Sequence, residues 1–101
     1  MLNIAVLGYG VVGSGVVELI QQKNPVIKSR LGRGIKVKKI LDIRDFPHDP
    51  NKDLITKDAD EILKDESIKI VVETIGGTGF AYDITKRALK AGKSVVTSNK
   101  E

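Results

Sequence analysis

The sequence contains no cysteine, no tryptophan, one histidine and only three prolines among its 101 residues. Without cysteine there can be no disulfide, no thiolate metal ligand and no cysteine nucleophile. The composition fits a cytoplasmic protein, and no metal site is assigned. No apolar run approaches the roughly 20 residues that cross a bilayer, so no membrane association is expected. Aromatics are scarce: Tyr9, Phe46, Phe80 and Tyr82 are the whole set. A core must therefore come from Ile, Val, Leu and Ala, which suits a parallel sheet buried on both faces. Acidic residues are the minority, 13 against 17 basic, for a formal net charge of +4. Much of the excess lies in Lys23, Lys28, Arg30, Arg33, Lys36, Lys38 and Lys39. No aromatics are interleaved there to stack bases. The cluster reads as a solvated basic loop and strand edge near an anionic cofactor, with no nucleic-acid partner. His48 lies between Pro47 and Pro50, beside Asp49, in a polar loop. That setting favours a solvated histidine over an acid–base couple.

What is present is organised around residues 2–20, LNIAVLGYGVVGSGVVELI. An apolar run, Ile4 to Leu7, leads into Gly8-Tyr9-Gly10-Val11-Val12-Gly13, which spells G-x-G-x-x-G. Val12, Val16, Leu19 and Ile20 then recur at helical spacing. Strand, glycine turn and helix in that order form a dinucleotide-binding context. Gly8 permits the tight turn, Gly10 lets a pyrophosphate approach the backbone, and Gly13 lets the helix pack closely. The N–H groups and positive dipole end of the helix would face the phosphates.

The first helix is expected over Val11 to Gln22, ended by Asn24-Pro25, since the residue before proline is pushed out of the helical region. Residues 26–34 then form a basic connection. A second strand covers Ile35 to Ile43. At its end an acid would hold the adenosine ribose, and an Arg would accommodate a 2′-phosphate. Both are offered: Asp42, which Arg44 could instead simply pair, and Arg44 itself. Residues 46–52 form a loop, and Leu54 to Thr56 a short strand or extended link. Asp58 and Glu61 have the spacing of a capping box before a short helix with Ala59, Ile62 and Leu63 on one face. The β-branched run Ile68 to Ile75 reads as a central strand, with Glu73 near its exposed carboxyl edge. Thr78 suits an N-cap. A helix over Phe80 to Ala91 puts Phe80, Ile84 and Ala88 inward, Gly92 ends it, and Ser94 to Thr97 forms a last strand. The expected fold is one α/β domain over residues 1–101, a Rossmann-type doubly wound parallel sheet in truncated form. Its strand order should be 3-2-1-4-5.

Four segments resemble the N-terminal domain of the homoserine dehydrogenases: IAVLGYGVVGSGVVELI, RLGRGIKVKKILDIRD, VVETIGG and AGKSVVTSNK. The first occurs in many dehydrogenases; the last two, in this order and spacing, are much more specific. The resemblance implies an NAD(P)-dependent oxidoreductase that interconverts L-homoserine and L-aspartate 4-semialdehyde in threonine, methionine and isoleucine biosynthesis. It implies that Gly8, Tyr9, Gly10, Val11, Val12 and Gly13 hold the pyrophosphate, with Asp42 and Arg44 at the adenosine end. Thr74, Ile75, Gly76 and Gly77 would line the adenosine and nicotinamide side. Asn99 and Lys100 would lie by the nicotinamide, with Lys100 as the catalytic residue that polarises the substrate carbonyl. NADP is slightly favoured over NAD. Family members continue into a substrate and dimerisation domain, so the chain is expected to be part of a longer, homo-oligomeric enzyme. That further domain would bind the small amino-acid substrate. The competing expectation is a non-catalytic dinucleotide-sensing regulatory module.

Overall fold

Ile4, Ala5, Val6 and Leu7 are each at most 3% exposed, and the sheet is built outward from them. The computed structural model describes residues 1–76 and 79–97. Its elements run β1 (Leu2–Leu7), α1 (Val11–Leu31), β2 (Ile35–Leu41), a 3-10 turn (Lys52–Leu54), β3 (Ile55–Thr56), α2 (Asp60–Leu63), β4 (Ile68–Glu73), α3 (Gly79–Lys90) and β5 (Ser94–Thr97). The strand order is β3-β2-β1-β4-β5, and each neighbouring pair is parallel. Successive strand residues point to opposite faces, and β1 uses both. Ile4 and Val6 pack with Val17 of α1 and with Val37 and Ile40 of β2. Ala5 and Leu7 pack with Ile62 and Leu63 of α2 and with Ile84 and Ala88 of α3. Helices thus cover both faces, giving the expected Rossmann-type sheet. Each fully buried Val, Leu or Ile contributes about 1.5–3 kcal/mol.

The first helix is longer than expected. α1 continues through Pro25 to Leu31, so residues 26–31 are helix and not connection. Pro25 supplies no N–H to the Gln21 carbonyl, yet tertiary contacts carry the helix on. Asn24 is half-buried, and its Oδ1 accepts the Ile35 N–H at 3.0 Å, fastening the helix to the start of β2. Gly34 makes this possible, because a Cβ there would lie 2.8 Å from that oxygen. The helix ends at Gly32, φ +79°, whose N–H bonds the Lys28 carbonyl. Lys28 and Arg30 occupy the last turn, where cations suit the dipole. The long helix, rather than a loop, separates Gly13 from Asp42.

Other expectations are corrected locally. β2 ends at Leu41 and β4 at Glu73. Glu73 is only 3% exposed; it accepts the Gly76 N–H at 2.6 Å and the Thr97 hydroxyl at 2.8 Å, which offsets its burial. The Asp58 carboxylate accepts the Asp60 N–H, but the N-cap of α2 is Ala59, which has no side-chain cap. Glu61, however, accepts the Thr56 hydroxyl rather than reaching back to the Asp58 N–H, which bonds Thr56 Oγ1 instead. On α3 the buried set is Ala81, Ile84 and Ala88, and Phe80 is 52% exposed. The Thr78 cap lies outside the described residues. Gly92 ends α3 as expected, at φ +84°. Its N–H bonds the Leu89 carbonyl and the Lys93 N–H bonds the Ala88 carbonyl, the paired pattern of a Schellman end. Lys93 is buried, and its ammonium donates to the carbonyls of Asp65 and Ile68, pinning the α2–β4 turn to β5. Burial lowers its pKa.

Pro25→Ala should restore the missing helical hydrogen bond without disturbing the Asn24 anchor. The expected gain is about 2 kcal/mol, the helix-interior cost of proline less its restriction of the unfolded chain. Thermal denaturation measures it, and a lower Tm would mean that α1 needs its proline.

Candidate dinucleotide site

The carboxyl ends of β1 to β4 enclose a cavity of about 620 Å3, lined by Gly8, Gly10, Asp42, Arg44, Thr74 and Ile75. Its first wall is the glycine turn. Gly8 has φ +96°, a region side chains rarely adopt, and its N–H bonds the Leu41 carbonyl at 2.7 Å. Gly10 is the N-cap of α1, with no side-chain cap and no acid in the first turn. The first helical bond runs from the Ser14 N–H to the Gly10 carbonyl. The N–H groups of Val11, Val12 and Gly13 therefore precede the helical ladder. Val11 is 92% exposed. A Cβ at Gly10 would find Arg44 Nη2 at 3.8 Å as its nearest neighbour, so the approach is open and cationic. A Cβ at Gly13 would lie 1.8 Å from the Gly8 carbonyl oxygen. One glycine leaves room for a phosphate; the other lets α1 seat against the turn. A pyrophosphate fits this cradle.

The second wall is Asp42 with Arg44. The buried Asp42 carboxylate accepts the Tyr9 N–H at 2.8 Å and the Arg44 N–H at 2.9 Å. Arg44 Nε and Nη2 reach it at 3.0 and 2.8 Å. The Arg44 side chain is the main reason the carboxyl titrates far below the ordinary range, against the opposing effect of burial; the two backbone N–H groups add to it. All four acceptor positions of the carboxylate are thereby filled. Asp42 faces the cavity but is occupied by Arg44 and Tyr9.

Thr74 lines the cavity, yet its hydroxyl donates to the carbonyls of Leu7 and Gly8 at 2.8 and 3.1 Å, so it braces the turn. Gly76 follows Ile75 at φ +68°. Tyr9 is buried beneath the turn, and Gly13 is packing rather than lining. Gly77, Asn99 and Lys100 lie outside the described residues. His48 is exposed, and Asp49 accepts the Tyr9 hydroxyl.

Sequence reasoning missed Leu41, Ile43, Lys57, Ala59 and Phe80 as lining residues. Lys57 follows β3 and lies 2.8 Å from the Asp45 carboxylate. The rule that ligands sit at strand carboxyl ends points to it, but a two-residue strand conceals the position. Helical spacing points Phe80 inward, whereas in the structure it lines the cavity. Arg44 and Lys57 also line a neighbouring recess of about 420 Å3, with Lys52.

Residues 8–101 match the family model for the NAD-binding domain of homoserine dehydrogenase. The chain belongs to this family. A homoserine dehydrogenase of Helicobacter pylori is 40% identical over 100 residues, spanning 98% of this chain and 24% of that protein. One from Corynebacterium glutamicum is 39% identical over 101 residues, spanning 98% and 23%. A crystal structure of S. aureus homoserine dehydrogenase matches with a TM-score of 0.89 and 41% identity, over 99% of this chain and 26% of that one. The chain thus spans about a quarter of the length of these relatives. As a homoserine dehydrogenase NAD-binding domain, it takes an NAD(P) dinucleotide as its ligand.

Two expectations follow from the geometry. Gly13→Ala should destabilise the fold by about 3 kcal/mol or more, since its methyl meets backbone and not a flexible side chain. Gly15→Ala, two residues on with open space around it, should instead stabilise by about 1 kcal/mol. Chemical denaturation compares them, and equal effects would refute the Gly8–Gly13 contact. Asp42, with a depressed folded pKa, contributes stability that is full above its unfolded pKa of about 4 and fades as pH falls below it. Asp42→Asn should therefore lower Tm at pH 7 and flatten its fall between about pH 4 and pH 2. Parallel Tm–pH curves for variant and wild type would contradict this.

Proposed function

We propose that this chain binds NADP for a homoserine dehydrogenase that interconverts L-homoserine and L-aspartate 4-semialdehyde. The observation that carries the NADP preference is the saturation of Asp42. A carboxylate already accepting four hydrogen bonds is a poor partner for ribose hydroxyls. The Arg44 guanidinium, 60% exposed in its side chain and beside Gly10, retains N–H donors for a 2′-phosphate. Lys57 adds a second cation on the same cavity. The N–H groups at the start of α1 would hold the pyrophosphate. Bound nicotinamide supplies or accepts the hydride. In this reading Thr74, Ile75, Gly76, Gly77 and Asn99 border it, and the Lys100 ammonium would steady the carbonyl oxygen as negative charge develops there. The amino-acid substrate would be held by residues beyond this domain, in a homo-oligomeric, cytoplasmic enzyme. No specific observation favours the dinucleotide-sensing alternative.

In the full-length protein, Arg44→Ala should weaken NADP binding by roughly tenfold or more, the scale of a charge-assisted phosphate contact, and NAD binding much less. Gly10→Ala should weaken both while the circular dichroism spectrum is retained. Isothermal calorimetry with each dinucleotide separates these effects. Equal losses for NAD and NADP in Arg44→Ala would remove the 2′-phosphate role.

A further inference from the structure

Tyr9 stands in the middle of the glycine turn, yet it is only 7% exposed. Its side chain turns away from the cavity side of the loop and makes three kinds of contact. The ring meets Phe46 edge to face, with centroids 5.1 Å apart and planes at 88°. The hydroxyl donates to Asp49 Oδ1 at 2.8 Å and accepts from Asn51 Nδ2 at 3.2 Å. Asn51 in turn donates its N–H to Asp49 and accepts from Gln21 of α1. The loop of residues 46–52 is thereby fastened to α1 and to the glycine turn. Burial raises the Tyr9 pKa, so the hydroxyl remains a donor at neutral pH.

Arg44 is held by the far side of the same assembly. Its Cζ lies 5.3 Å from the Phe46 ring centroid, and its fork is held by Asp42, which also accepts the Tyr9 N–H. An arginine side chain in water samples many rotamers. Here a ring supports one face of the guanidinium and a carboxylate holds one edge. Both supports end on Tyr9, one through its ring and one through its N–H.

We propose that Tyr9 is a positioning residue for Arg44, and so sets the preference for a 2′-phosphorylated dinucleotide although it touches no phosphate itself. The proposal rests on the reading of Arg44 given above. Tyr9 holds Phe46 in place, Phe46 supports the guanidinium, and the remaining donors of Arg44 are kept beside Gly10. Holding the side chain before the ligand arrives lowers the ordering cost of binding, and only a ligand with the 2′-phosphate benefits. A residue that merely filled space would affect NAD and NADP alike.

The test is the ratio of NADP to NAD affinity, measured by calorimetry on the full-length protein. Tyr9→Leu should reduce that ratio about fivefold, the scale of a cation–π support. Tyr9→Phe, which keeps the ring, should stay within about twofold of wild type. Phe46→Leu, at a half-buried loop position, should reproduce the Tyr9→Leu effect and carries the test if Tyr9→Leu misfolds. In an Arg44→Ala background, Tyr9→Leu should no longer move the ratio, since coupled residues are non-additive. If Tyr9→Leu and Phe46→Leu weaken NAD and NADP equally while Arg44→Ala still discriminates, the positioning role is overturned and the Arg44 reading stands. If Arg44→Ala leaves the ratio unchanged, the reading of Arg44 fails, and the role of Tyr9 with it.

Discussion

Asp42 joins three pieces of backbone: the glycine turn, the end of β3 and the segment that follows β2. The Asp42 backbone N–H bonds the Thr56 carbonyl of β3. Its oxygens take the N–H of Tyr9 from the glycine turn and the N–H and guanidinium of Arg44. A buried charge in this position would be costly alone; four donors make it a fixed point. The turn, the end of β2 and the loop that follows all hang from it. In this arrangement its oxygens are engaged within the protein.

The other constraint is steric. With 1.8 Å between a hypothetical Gly13 Cβ and the Gly8 oxygen, the helix sits as close to the turn as two peptide groups allow. That closeness aims the unladdered N–H groups of the first turn outward at one small region. Thr74, just past the end of β4, reinforces it by bonding the carbonyls of Leu7 and Gly8. The start of α1 is therefore tied to the end of β1 and to the residue after β4.

The sheet was legible in the sequence because its signals are local. β-branched runs, glycines at turns and helical spacing named the elements, and the chirality of parallel crossovers named the order. The errors fall where distant residues decide. α1 survives Pro25 because Asn24 finds Ile35, a contact invisible to local rules. Glu73 is buried because Thr97 and Gly76 supply donors. The glycine motif and the Asp42–Arg44 pairing could be proposed from spacing and chemistry. The roles of Lys57 and Tyr9 could not, since each depends on a loop folding back across the sheet.

Parallel pairing also dictates an order of events. β1 precedes its partner strands in the chain, yet it lies in the middle of the sheet between β2 and β4. Parallel neighbours cannot be joined by a hairpin, so its first edge is closed only after α1 and β2 have emerged. Its second edge must wait for β4, 65 residues later by the Asn3–Ile68 pairing. During synthesis, at about 5–20 residues per second, β1 carries an unpaired edge for several seconds. Slowing translation ahead of β4 would prolong that exposure.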